Sequence, residues 1–230
     1  MPRRFDAVLL DAGGVLVLPD PTVLAPLLAY YGGDPSIRAH RRAHYGAMAA
    51  KSAAGDAETE WSSYTTAYLE HIGVHPAARE EAGEALERTR GVGLWRWPIP
   101  ETLVGLGRLA GAGVPMGVVS NASGQIEGIL RREICQVGTG PHIEMRCIVD
   151  SHVVGVAKPD PRIFDHATPC FPEVERERIA YIGDSVTMDV RAASAAGLHP
   201  ILLDPYGDHE GAEFETTTSV AAFAVELLTR

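Results

Sequence analysis

Apolar residues fall along this chain in two rhythms. Residues 5–10 (FDAVLL) form a short, almost continuous apolar run that closes on Asp11 and a turn at Gly13 and Gly14. A run of that length bounded by a turn signal predicts a strand buried on both faces. From residue 22 to about 90 the pattern becomes Ala-rich and helical, with breaks at Gly32 and Gly33, at Gly55 and across 73–76. Four helices and no strand are expected there. The flanking stretches, 18–21 with two prolines and 94–100 (LWRWPIP) with two Trp and two Pro, read as linkers. Beyond Pro100 the rhythm changes. Helices are expected over 101–110, 123–132, 161–167, 187–196 and 220–228, and strands over 116–119, 147–149, 179–182 and 200–203. Strands alternating with helices imply an α/β domain, a parallel sheet flanked by helices on both faces. The expected division is a core of residues 1–18 and 95–230, interrupted by a helical insertion over 19–94. Sheets of this kind bind ligands at the carboxyl ends of their strands.

Composition narrows the possibilities. The chain has 230 residues, of which 46% are hydrophobic and 22% charged, ordinary values for a globular domain. Its formal net charge of −10 argues against nucleic acid as a partner, because a phosphate backbone demands a basic face. An anionic small substrate is compatible with it only if positive charge is concentrated locally. The N-terminal apolar run is too short for an export signal, and no run approaches a membrane span. Cys135, Cys147 and Cys170 show no metal-ligand spacing. An odd number of cysteines in a chain of this size suggests reduced thiols in a cytoplasm.

The cations are distributed unevenly. There are 18 arginines and only two lysines, Lys51 and Lys158. An ammonium is a compact point charge with three rotating donors, whereas guanidinium is a planar fork. A lysine kept in an Arg-dominated chain suggests a narrow site that holds two oxygens at once, such as a carboxylate and a phosphate. The other polar residues of interest sit at predicted strand ends: Asp11 after the first strand, Ser120 and Asn121 after the second, Asp184 after the fourth, with Asp189 five residues on. In a parallel sheet these places converge on one edge. Taken singly, each reads as a turn or capping residue. Together they suit specific chemistry. Asp11 is a candidate nucleophile for a covalent intermediate cleaved by water. The amides of Gly13 and Gly14 would cradle an anion. Ser120 would donate to that anion, and Lys158 would neutralise charge developing on it. Asp184 beside Asp11 makes a like-charge problem that a hard cation such as Mg²⁺ solves, with Asp189 orienting Lys158 or a metal-bound water.

Four motifs in this order resemble the haloacid dehalogenase-like hydrolases, which include many magnesium-dependent phosphatases. They are DAGGVL at 11–16, VVSNAS at 118–123, AKPDPRIF at 157–164 and GDSVTMD at 183–189. The resemblance covers essentially the whole chain, and 19–94 stands where that family carries a helical cap. It implies a Rossmann-like core with Asp11 as nucleophile and Ser120 and Lys158 as phosphate ligands. It also implies Mg²⁺ held by Asp11, the Gly13 carbonyl and Asp184, and a small phosphorylated metabolite as substrate.

Gly13 departs from the pattern. Phosphatases of the family carry there a second Asp that protonates the leaving group, and a general acid contributes about 10²–10⁴-fold in rate. Three accounts follow: a phosphatase with a good leaving group or a borrowed acid; a metal-free 2-haloacid dehalogenase, whose departing halide needs no proton; or a weak or inactive ligand-binding homologue. Asp184 and Asp189 favour the first, since they repel each other without a cation. In the insertion, Arg38, His40, Arg41, Arg42 and His44 cluster at 38–45. Arg41 is the candidate substrate contact and a His the candidate borrowed acid, against the plainer reading of a solvated helix face. Trp61, Trp95 and Trp97 read as packing residues. Substrate identity and oligomeric state are not encoded legibly.

Overall fold

The structure is a computed structural model that describes residues 3–91, 93–209 and 211–229. In chain order its strands and α-helices are β1 (Ala7–Leu10), β2 (Val17–Pro19), α1 (Pro21–Ala29), α2 (Ile37–Ala54), α3 (Ser62–His71), α4 (Arg79–Thr89), β3 (Trp95–Pro98), α5 (Pro100–Gly111) and β4 (Met116–Ser120). There follow α6 (Ile126–Leu130), β5 (Cys135–Val137), β6 (Ile143–Met145), β7 (Ile148–Asp150), α7 (Ser151–Val154), β8 (Ile179–Gly183), α8 (Arg191–Ala195), β9 (His199–Leu203), β10 (Glu215–Thr217) and α9 (Val220–Thr229). Two compact units result, Met1–Val17 with Pro98–Arg230, and Leu18–Trp97.

The first unit is built on a six-stranded sheet in the order β10-β9-β8-β1-β4-β7, parallel at every pairing. Every residue of β1, β4 and β8 is buried, as expected of strands covered on both faces. On one face Ala7, Leu9, Val119, Val149, Ile179 and Tyr181 join Phe164, Phe171 and Ala192 and Ala193 of α8 in a single apolar cluster. Elsewhere α5 lies against α9 so closely that a Cβ on Gly105 would strike the Val220 backbone. The chain leaves β1 toward β4 and leaves β8 toward β9, on opposite sides. The sheet therefore reverses direction between these neighbours, the kind of crevice where open α/β sheets bind ligands.

The second unit holds four α-helices and a short 3₁₀ turn at Pro76–Ala78. Leu24 and Leu28 of α1, Ala43 and Ala47 of α2, Tyr64 and Tyr68 of α3, and Ala82 and Leu86 of α4 share its core. Each pair is spaced i, i+4, so each helix turns one face inward. Ser36 caps the start of α2, accepting from the Ala39 amide at 3.2 Å, and Gly55 ends it at φ 73°. Lys51, 1% exposed, turns its ammonium onto the carbonyls of Ala57 (2.8 Å) and Glu60 and over the Trp61 ring (4.3 Å).

Several expectations change here. The stretches expected as linkers contain β2 and β3, which pair with each other as a two-stranded sheet. Asp20 adds a backbone bond to Leu94 (2.8 Å) and an ion pair with Arg96 (2.8 Å). These runs are too short and too rich in proline to show a strand period. The helix expected over 187–196 begins as a π-helical turn, Val186–Val190, before α8. The segment 161–167 is a 3₁₀ helix, Pro161–His166.

His40 and His44 form neither a solvated face nor a proton source. Both are buried, with Nδ1 hydrogen-bonded to Tyr68 Oη (2.8 Å) and Tyr64 Oη (3.0 Å). Burial pushes His40 down to about 4 and His44 down to about 3, so both are neutral at pH 7. An unfolded chain binds protons on these imidazoles below about pH 6.5, while the folded one does not until its lower value is reached. Stability is therefore full above that pH and falls as the medium is acidified through 6.5 toward 4. At pH 5, His44 alone should cost about 2 kcal/mol. Urea titrations at pH 7 and pH 5 check this. His44→Phe should flatten the difference, and an unflattened profile would rule the histidine out as its source.

Candidate active site

Every strand-end residue singled out above lies in the first unit. Asp11 follows β1, and its amide donates to the Ile182 carbonyl (2.8 Å), which locks the end of β1 to β8. Ser120 ends β4, Asp184 follows β8, and Lys158 lies in the loop after α7; all are buried. The Lys158 ammonium, 2% exposed, lies 2.9 Å from Asp11 Oδ1 and 2.7 Å from Asp189 Oδ1. Carboxylate oxygens of Asp11, Asp184 and Asp189 lie within 4.8 Å of one another.

Charge dominates this cluster, with three carboxylates around one ammonium in a site nearly closed to water. Burial raises Asp11 to about 7; Lys158 opposes the rise, while Asp189 and Asp184 add to it. Burial alone would lower the Lys158 pKa, but Asp11 and Asp189 outweigh it and hold the amine above its ordinary value. Lys158 is a fixed cation here.

The three carboxylates are not equivalent. Asp189 Oδ1 accepts from Lys158 and from Tyr181 Oη (2.9 Å), and its Oδ2 accepts from the amides of Asp184 (3.1 Å) and Ser185 (3.0 Å). These bonds brace the lysine and the loop after β8. Asp11 Oδ1, by contrast, is buried with the ammonium at 2.9 Å and meets no other donor among the described residues. An oxygen so placed, with a second carboxylate close by, suits a hard divalent cation, which takes oxygen ligands and keeps several waters.

The loop after β1 differs from expectation. The Gly14 amide donates to Val17 O (2.8 Å), so it is not available to cradle an anion. Gly14 serves another purpose. It sits at φ 71°, and a Cβ there would overlap the Asp184 carboxylate. Gly13 has no positive φ; it bridges to Val17. Asn121 spends its side chain on the lysine loop: its Nδ2 donates to Lys158 O (2.9 Å) and its Oδ1 accepts from Lys158 N (2.8 Å). In this structure it positions the lysine. Asp150 ties the loop after β4, accepting from Gly124 (2.9 Å) and His152 (2.9 Å) amides. Arg41 lies half-buried on α2, in the second unit.

Sequence reasoning missed Tyr181 and Asp150. Tyr181 sits inside an apolar strand, and only its hydroxyl, unusual in a fully buried run, could have signalled it. Asp150 ends β7 and directly follows the strand expected over 147–149, so the strand-end criterion already pointed to it.

A parallel sheet whose switch point gathers a fixed ammonium and three carboxylates defines an α/β protein with a charged centre at its strand ends. Comparison with known proteins names the group. The chain belongs to the haloacid dehalogenase-like hydrolases, whose family model matches residues 5–197. A phosphoserine phosphatase of Thermus thermophilus is 30% identical over 163 residues, which cover 64% of this chain and 63% of that protein. A glyceraldehyde 3-phosphate phosphatase of Methanopyrus kandleri is 29% identical over 128 residues, 51% of this chain and 52% of that one. The chain thus spans rather less than two thirds of these curated relatives. A crystal structure of a phosphatase of the family from Thermococcus onnurineus shares the fold at TM-score 0.56, with 19% identity over 96% of this chain and 97% of that one. No helix among the described residues is long and apolar enough to cross a membrane.

Proposed function

We propose that this chain is a magnesium-dependent phosphatase of a small phosphorylated metabolite, with Asp11 as nucleophile. The observation that carries the reading is the Asp11 carboxylate. It is buried with its Oδ1 2.9 Å from a fixed ammonium and with the Asp184 and Asp189 carboxylates close by. In the first step an Asp11 oxygen attacks phosphorus, the bond from phosphorus to the ester oxygen breaks, and an aspartyl-phosphate forms on the enzyme. In the second, water attacks that phosphorus and returns the carboxylate, releasing inorganic phosphate. Lys158 and the Ser120 hydroxyl would stabilise the charge on the transferring group's oxygens. Asp11, Asp184 and the Gly13 carbonyl would hold Mg²⁺, which when bound supplies charge neutralisation for the phosphoryl group. The relatives named as phosphatases of phosphoserine and glyceraldehyde 3-phosphate support a small phosphomonoester as substrate. The helical unit would serve as the cap that selects it, with Arg41 as a contact for a distal anionic group. Three free thiols support a reducing, cytoplasmic setting.

The acid absent at Gly13 is not replaced by His40 or His44, which are neutral and buried. The reading therefore expects a preference for esters with good leaving groups, or proton delivery from solvent. One observation favours a second reading, 2-haloacid dehalogenation: a halide leaves without a proton, so Gly13 costs it nothing. Against this stands the charge balance, because three carboxylates beside one ammonium call for a cation. A panel of phosphate esters and 2-haloacids, each with Mg²⁺ and with chelator, separates the two. The expected result is phosphate release that chelation abolishes and added Mg²⁺ restores. Halide release unaffected by chelator would transfer the assignment to the second reading, and silence across both panels from folded protein would leave a ligand-binding homologue.

A further inference from the structure

Tyr181 belongs to none of the four motifs. It lies in the middle of β8, with its ring edge-on against Phe164 (centroids 4.8 Å apart, planes at 81°). Its hydroxyl reaches out of that apolar cluster to Lys158 Nζ (2.9 Å), Asp189 Oδ1 (2.9 Å) and Val119 O (3.1 Å). A phenol has one proton, so the oxygen accepts from the ammonium and gives its own proton to one of the other two. Burial keeps the phenol protonated, with Asp189 and Asp11 reinforcing the effect.

The ammonium has three N–H groups in a tetrahedral arrangement. Two make aligned bonds, to Asp189 Oδ1 (2.7 Å) and to Tyr181 Oη (2.9 Å). Fixing two directions on a tetrahedral nitrogen fixes the third, and Asp11 Oδ1 lies 2.9 Å away as the third oxygen about it. The tethers to Asp189 and Tyr181 thus set where the ammonium stands relative to Asp11.

We propose that Tyr181 is a positioning residue for the nucleophile. Its hydroxyl, together with Asp189, orients Lys158 so that the positive charge stands beside Asp11. The geometry stands alone; only the kinetic consequence rests on the phosphatase reading. Without the hydroxyl one N–H loses its acceptor, and the ammonium is free to shift from its place beside the nucleophile.

The test is Tyr181→Phe, which keeps the ring and its packing on Phe164. The chain has only two lysines, so protein labelled with ¹⁵N in its lysine side chains gives two ammonium resonances, both from buried groups. Lys51→Arg assigns them, and Lys51, in the other unit, serves as internal reference. The variant should shift the Lys158 resonance and leave that of Lys51 in place. On p-nitrophenyl phosphate with Mg²⁺, kcat should fall about 10–100-fold and KM change less than about threefold, as expected when one buried hydrogen bond to a charged group is lost. An unmoved Lys158 resonance overturns the inference. So does a moved resonance with unchanged kcat in an active wild type. If the wild type hydrolyses no phosphate ester, the phosphatase reading falls separately, and the resonance alone decides whether Tyr181 holds the lysine. Should the variant fail to fold, wild type grown with 3-fluorotyrosine, a weaker acceptor, must show the Lys158 shift; its absence overturns the inference equally.

Discussion

Asp11→Asn is expected to abolish turnover, lowering kcat by about 10⁴-fold or more, the scale seen when a covalent nucleophile is removed. The amide nearly matches the carboxylate in shape, so the end of β1 and its bond to Ile182 should survive. Stability should hold or rise. The wild-type carboxylate is buried among like charges and raised to about 7, and a neutral group relieves that repulsion. The informative result is thus a split: loss of activity without loss of thermal midpoint. Phosphate release above about 1% of wild type from a verified variant would show that some other group attacks phosphorus.

Gly13→Asp should act in the opposite direction. Gly14, not Gly13, occupies the left-handed conformation, so the backbone at 13 admits an L side chain. A carboxylic acid there could protonate an alkoxide as it departs. General acids of this kind are worth about 10²–10⁴-fold, most of it for leaving groups that are poor without a proton. Alkyl phosphates should therefore gain at least about 10-fold, whereas an aryl phosphate, whose phenolate leaves readily, should gain little. The slope of log kcat against leaving-group pKa would flatten. Equal gains on both classes would mean that the substitution changes binding or the loop rather than supplying a proton. A fourth carboxylate near Asp11, Asp184 and Asp189 also sharpens the demand for a cation, so the variant should depend more steeply on Mg²⁺.

The two variants bear on different parts of the site. Asp11 tests the atom that attacks, and Gly13 tests the fate of the atom that leaves. Tyr181 tests what holds the ammonium beside the attacking atom.

Much of this was legible in the chain itself. The alternation of apolar runs and helical segments after Pro100 corresponds to the observed parallel sheet because buried parallel strands have to be continuously apolar. Asp11 and Asp184 stand out for a related reason: a carboxylate at the end of an apolar strand has no packing role to explain it. The lysine count was informative too. Both lysines are buried, each turned onto oxygens: Lys51 onto backbone carbonyls, Lys158 onto carboxylates and a phenol. A compact point charge suits both places.

Other features were invisible for definite reasons. β2 and β3 are too short and too proline-rich to display a period, and they exist because each pairs with the other across the intervening helical unit's sequence. His40 and His44 look like members of a charged surface cluster, since 38–45 alternates cations with alanines. Only the placement of Tyr64 and Tyr68 on another helix shows that the imidazoles are buried and neutral. Gly14 reads as part of an anion cradle, yet its role is steric, making room for a carboxylate 170 residues away in sequence.

The sequence by itself determined which groups are available: a carboxylate after the first strand, an ammonium, further carboxylates, and a glycine where the resembling phosphatases carry an acid. Local pattern suffices for that, because strand and helix periods report burial directly. The tertiary structure alone decided how those groups share their bonds. Asp189 braces the loop after β8, and Lys158 is shared among Asp11, Asp189 and a tyrosine inside β8. Hydrogen bonding depends on direction as well as distance, and direction between residues far apart in the chain is set only when the sheet closes.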